Sequence, residues 1–223
     1  MPSFRKLLYS CQVGVSSFVG EISSGVITVV FNMIILSLAG NIGVAAYGVV
    51  ANTSLVAVAL FNGIAQGSQP LISECYSKGQ KKEVLSLLKM AIVTTLATAS
   101  LLYIFIYLCA PAVTAVFNGG HDQTLAAYAQ SGLRLYFIGF FFAGMNIVGT
   151  AALSAVESAK FAFAASIMRG FIAIILFAFA LSAILGMTGV WLAFPAGELV
   201  TLFITSAGLI QILKNHTKYI SAN

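Results

Sequence analysis

From Ile22 to Ser73 the chain carries no Asp, Glu, Lys or Arg. Soluble domains draw about a quarter of their residues from those four types to cover their surfaces, so a run of this kind cannot face water. A helix needs about 20 apolar residues to cross a bilayer, so the run holds two spans and a turn. The turn signal is Gly40-Asn41-Ile42-Gly43. The rest of the chain continues the pattern, with 60% of its 223 residues apolar and 8% charged, at a mean hydropathy of +1.00. Only helices or closed barrels satisfy their backbone in lipid, and long apolar runs without strict alternation select helices. The expected fold class is all-α membrane protein, with the lipid bilayer as its solvent.

Apolar length places six transmembrane helices near 14–38, 45–73, 87–110, 129–155, 162–184 and 190–212, as one lobe over 1–223. A polar loop is expected at 74–86. Pro111 ends the third helix and opens a loop over 111–128; Glu157, Ser158 and Lys160 mark the next turn, and Gly186-Met187-Thr188-Gly189 makes a tight one. With six spans, Arg5, Lys6, Lys78, Lys81, Lys82, Lys160, Lys214 and Lys218 all fall on one side. The positive-inside rule then puts both termini and the loops 74–86 and 156–161 in the cytoplasm, the pattern of a multi-pass plasma (inner) membrane protein. Lys89, Arg134 and Arg169 lie near predicted helix ends; the first and third can snorkel to the cytoplasmic face and Arg134 outward. The N-terminus has two positive charges before an apolar run, as a signal peptide does, but the run continues to Leu38 and contains Glu21, so it reads as a first span.

Several function classes drop out. The net charge of +5 is scattered between apolar runs and forms no basic patch for nucleic acid. Cys11, Cys75 and Cys109 have no metal or disulfide spacing. Hydrolase, P-loop, zincin and dinucleotide motifs are missing, so no enzyme and no cofactor is expected.

Polar residues inside the spans are the candidates for function. Glu21 shares a helical face with Ser17, Ser24, Thr28 and Asn32, and a carboxylate in the bilayer calls for a proton, a cationic partner or water, any of which suits a cation relay. Glu198 precedes Thr201 and Thr205 on its face, and Pro195, three residues before it, loosens the helix there. Asn62, Gln66, Gln69 and Ser73 form a stripe that faces a cavity or a partner helix, beside a Gly63/Gly67 pair spaced for close helix contact. In the fourth span Tyr136, Gly139, Asn146, Gly149 and Thr150 suit either packing or a cavity wall, and the aromatic run Phe137 to Phe142 suits either a core or a pocket for flat lipophilic cations.

NGIAQGSQPLISECYSKGQ, with FVGEISSGVITVVFN before it and GVWLAFPAGE near the last span, resembles the multidrug and toxic compound extrusion (MATE) family. The likeness covers nearly the whole chain; its most specific part is the pattern from Gly63 to Gly79, which departs at Ser77, where glycine is usual. The resemblance implies the C-terminal six-helix lobe of a twelve-helix secondary transporter that exports drug-like organic cations against protons or sodium. It implies that Glu21 is the cation-coupling carboxylate. Asn146 takes the position of an acid that some members carry in the tenth helix, and Phe142 stands where those members have tyrosine. A single lobe has no opposite wall, so a separate N-terminal lobe or a second copy would have to supply one. Two other readings stay open: a lipid-linked saccharide flippase of the wider superfamily, and a truncated fragment that inserts without transporting.

Overall fold

The structure, a computed structural model, describes the backbone of residues 4–156 and 158–220 and the side chains of 25–156, 158, 161–170 and 172–211. The first helical run, Phe4–Ser77, is broken at Gly40, where φ is 62° and ψ −159°. Only glycine occupies that backbone region without strain. We label its arms α1 (4–39) and α2 (41–77). Their rings show that the chain doubles back: Phe31 and Tyr47 stack with centroids 5.5 Å apart, although 16 residues of straight helix would separate them by about 24 Å. Then come α3 (Lys81–Phe117), α4 (Gln123–Tyr136), α5 (Gly139–Ala155), α6 (159–185) and α7 (Met187–Ile220). α4 and α5 meet at a 47° bend and make one broken span. By length and composition the described residues hold four helices able to cross a membrane, or five with the bent pair α4–α5; the break at Gly40 divides the first of these into two arms, so six helical segments are packed together, with no strand among the described residues.

The connections are shorter than the sequence suggested. Pro111 lies inside α3, which runs on to Phe117. A proline is tolerated in a membrane helix because neighbouring groups take up the carbonyl it leaves unpaired. The following loop is therefore only Asn118–Asp122. Asn118 Nδ2 donates to the Asp122 carbonyl at 2.8 Å, and Asp122 Oδ1 accepts from the backbone N–H groups of Thr124 and Leu125, capping α4. Likewise the expected loop 74–86 contracts to Lys78-Gly79-Gln80, turned by Gly79 at φ 69°. Hydropathy marks the part of a helix in hydrocarbon, whereas the helix itself continues into the interface.

Large aromatics fill the interior in layers. Tyr47 stacks between Phe31 and Trp191, Phe61 stacks on Phe140, and Tyr136 stacks on Phe194 with centroids 4.2 Å apart. Outward positions such as Leu101, Leu108 and Val116 are exposed, as lipid-facing residues should be. With little hydrophobic drive between helices in lipid, close approach depends on small residues. They are not the expected pair. A Cβ on Gly63 or Gly67 would meet nothing within 4 Å, so at these two positions α2 touches no other helix among the described residues. The contacts are instead made by Gly139 against Phe194, Gly144 against Phe61 and Thr95, and Gly149 against Thr205, with each added Cβ at 2.5–2.8 Å from its neighbour.

Gly144→Ala should therefore lower stability by about 1–3 kcal/mol, because Phe61 is fully buried and cannot yield. Gly67→Ala should change it by no more than about 0.5 kcal/mol. Thermal unfolding in detergent checks both, and equal effects would contradict this account of the packing.

Candidate functional site

The structure scatters some of the sequence candidates and gathers others. Gln66, Asn62 and Ser73 are exposed on α2 and Gln69 is half-buried, so the amide stripe faces away from this lobe's core. Asn32 on α1 and Phe142 on α5 are half-buried. The Glu21 side chain lies outside the described residues. Tyr136, at the end of α4, is held against Phe194, one turn before Glu198. Asn146 and Glu198, from α5 and α7, are buried at 0% and 3% exposure and bond to each other.

Glu198 is the hub. Arg169 Nε donates to its Oε1 at 2.6 Å, and Asn146 Nδ2 donates to its Oε2 and to its backbone carbonyl, each at 2.8 Å. Three helices thus meet on one carboxylate. The depth is central: Met187 to Glu198 is 11 residues, about 17 Å of helix in a hydrocarbon layer of about 30 Å. An ion pair in such surroundings must recover a large desolvation penalty, which it does only with good geometry and further hydrogen bonds. Asn146 provides those.

Two local features bring Arg169 there. Met168–Ile172 forms a π-helical turn in α6, whose extra residue re-aims the side chains it carries. Gly197 lets α6 approach α7 closely, since a Cβ there would lie 3.3 Å from the Ile174 backbone nitrogen. Helix-end counting sent Arg169 toward the cytoplasmic face; the structure turns it inward instead, and no periodicity in the sequence signals a π turn. Arg134, expected to snorkel outward, places its guanidinium 5.0 Å from the Tyr107 ring centroid in a cation–π contact. Pro195 leaves the Trp191 carbonyl without its helical donor, whereas the carbonyl that Asn146 engages is that of Glu198 itself.

One group in the cluster is unsatisfied: Asn146 Oδ1 is buried and has no hydrogen-bond partner among the described residues. Such an acceptor costs about 1–3 kcal/mol of desolvation. The described residues hold no group of three or more His, Cys, Asp or Glu side chains able to bind a metal ion. As it stands, the cluster is a charge-balanced polar island with one spare acceptor.

No curated protein matches this sequence. Among solved structures, an inward-facing multidrug resistance MATE family transporter of the MOP superfamily superposes with a TM-score of 0.89 at 19% identity, over 98% of this chain and 50% of that one. An outward-facing conformation of such a transporter gives 0.86 at 18%, over 98% and 49%. A MOP superfamily transporter from Pyrococcus furiosus Vc1, described as having a binding pocket of reverse polarity, gives 0.84 at 19%, over 96% and 49%. The chain spans about half the length of these structures. The family model for MatE matches residues 17–180, through the first five spans and the π turn that carries Arg169, and on that match the chain belongs to the MatE family.

Proposed function

We propose that this chain is the C-terminal lobe of a secondary active transporter that exports organic, often cationic compounds by antiport with protons or sodium. The observation that carries the reading is the MatE match across 17–180 in a chain half as long as the transporters it superposes on. Similar superposition on inward-facing and outward-facing structures suits a lobe that moves as a body against an opposite wall. That wall is a separate N-terminal lobe or a second copy. The lysine pattern supports a plasma-membrane orientation with both termini cytoplasmic.

Two acids lie inside the predicted spans, Glu21 and Glu198. Glu198 is engaged by Arg169 and Asn146, which argues for Glu21 as the coupling carboxylate. Deprotonated, Glu21 attracts a cation. Protonated from outside, it releases cargo and permits return to the inward-facing state. Gln66, Gln69 and the open glycine face of α2 are placed to line the cavity once the second wall is present.

Glu21→Gln in the complete transporter should reduce proton- or sodium-driven efflux of cationic dyes at least tenfold without reducing membrane insertion. Undiminished coupled efflux sinks the assignment. Purified in mild detergent, the native chain should run with a second six-span chain or a second copy. A monomer from cells that show no efflux would mark it as an inert fragment.

A further inference from the structure

We propose that Arg134, seated on the Tyr107 ring, binds the phosphate of a phospholipid in the leaflet at the Asn118–Asp122 end of the lobe. A guanidinium is permanently charged and carries five N–H donors. Among the described residues none of those donors meets an oxygen. The Tyr107 contact answers the charge through a ring face, at 5.0 Å, and Nε is buried without a hydrogen-bond partner. No carboxylate with a described side chain is in reach to neutralise it. Glu74 and Glu83 lie at the opposite end of the lobe, Glu198 is held by Arg169, and Asp122 stands 12 residues away along α4, about 18 Å, where its oxygen caps the helix.

Two helices give the depth. Along α3, the exposed residues Lys89 and Tyr107 are 18 residues apart, about 27 Å, close to the thickness of a hydrocarbon layer. Lysine marks one boundary by snorkelling, and tyrosine marks the other. Beside Arg134, Tyr136 stacks on Phe194, which is seven residues, about 11 Å, from the start of α7 at Met187. The guanidinium therefore sits at the edge of the hydrocarbon, within a side chain's reach of the phosphate layer. Its surroundings face lipid: Tyr107 is 49% exposed, and Leu101, Ile104, Phe105 and Leu108 leave apolar surface on the same helix for acyl chains. Ser131, one turn before Arg134 on its face of α4, adds an exposed hydroxyl beside the headgroup. The platform is fixed from within, since Tyr107 packs on Tyr103 at 6.0 Å and Tyr103 meets Phe141 edge-on at 5.8 Å. A guanidinium held in this way matches two phosphate oxygens with parallel N–H bonds. A phospholipid brings its phosphate to that level already, whereas a free anion would have to leave water to arrive there.

The test uses the purified 223-residue chain, stripped of lipid in an uncharged detergent, with thermal unfolding followed by fluorescence of its one tryptophan, Trp191. Dioleoylphosphatidylcholine, dioleoylglycerol and inorganic phosphate are titrated separately. The first has no net charge to draw it to the lysines at the other end, and the second has the same acyl chains without the phosphate. A ligand that binds only the folded state raises the unfolding temperature. The phospholipid should act at a half-effect concentration at least tenfold below that of dioleoylglycerol, and inorganic phosphate should not act over the same range. Arg134→Gln should abolish that advantage and leave the dioleoylglycerol response as it is. Arg134→Lys keeps the charge but loses the paired donors, and should raise the phospholipid half-effect concentration at least threefold. If Arg134→Gln does not fold, Arg134→Lys decides alone. Native affinity for the phospholipid in the deciding variant would overturn the site. A response to inorganic phosphate equal to that of the phospholipid would overturn the lipid as its source. No advantage of the phospholipid over dioleoylglycerol in the native chain would overturn both.

Discussion

Hydrocarbon offers no hydrogen bonds, and this one deficiency explains most of what the chain does with its polar groups. The backbone satisfies itself in helices. Serine and threonine hydroxyls turn back on their own helices, as Ser54, Thr95, Thr201 and Thr205 do on the carbonyls four residues earlier. Charged side chains retreat to the ends, where Lys78 pairs with Glu74. Against that background, a cluster of Arg169, Glu198 and Asn146 at mid-depth stands out as something the fold has to support from three helices at once.

That support is built from small residues. Gly149 packs on Thr205 one side of the cluster, Gly144 seats Phe61 on the other, and Gly197 admits the α6 backbone. The aromatic layer of Tyr136, Phe140 and Phe194 lies next to the cluster. Rigid rings on one side and close glycine contacts on the other leave the polar groups few alternative rotamers. Close packing and hydrogen-bond geometry therefore act together, and a change in either is felt by both.

The sequence made the fold class legible because lipid solvation leaves a coarse signal: long charge-free runs, with a glycine-asparagine turn at Gly40 where one run had to be two helices. What it hid was finer. The bend between α4 and α5 falls at Phe137 and Ile138, which read as continuing helix, and the π turn under Arg169 shifts register without any composition cue. The Gly63/Gly67 pair has the spacing associated with helix contact, yet the contacts are made by glycines five apart, at 139, 144 and 149, because five residues turn a helix by about 140° and each glycine meets a different partner. Asn146 and Glu198 were both visible as polar residues in spans. Their meeting was not, since 52 residues separate them and only the packed lobe sets their distance.

The single-residue turns carry a consequence for how the protein can be reached. Gly40 and Gly186, each at positive φ, reverse the chain with almost nothing protruding, and the Asn118–Asp122 loop between them is tied to itself by hydrogen bonds. These three connections lie at the same end of the lobe. An antibody, a protease or a genetically inserted tag approaching from that end finds five residues to work with, and a handle placed at either glycine would have to dismantle a hairpin to exist. Among the described residues, that end of the lobe is nearly without an address.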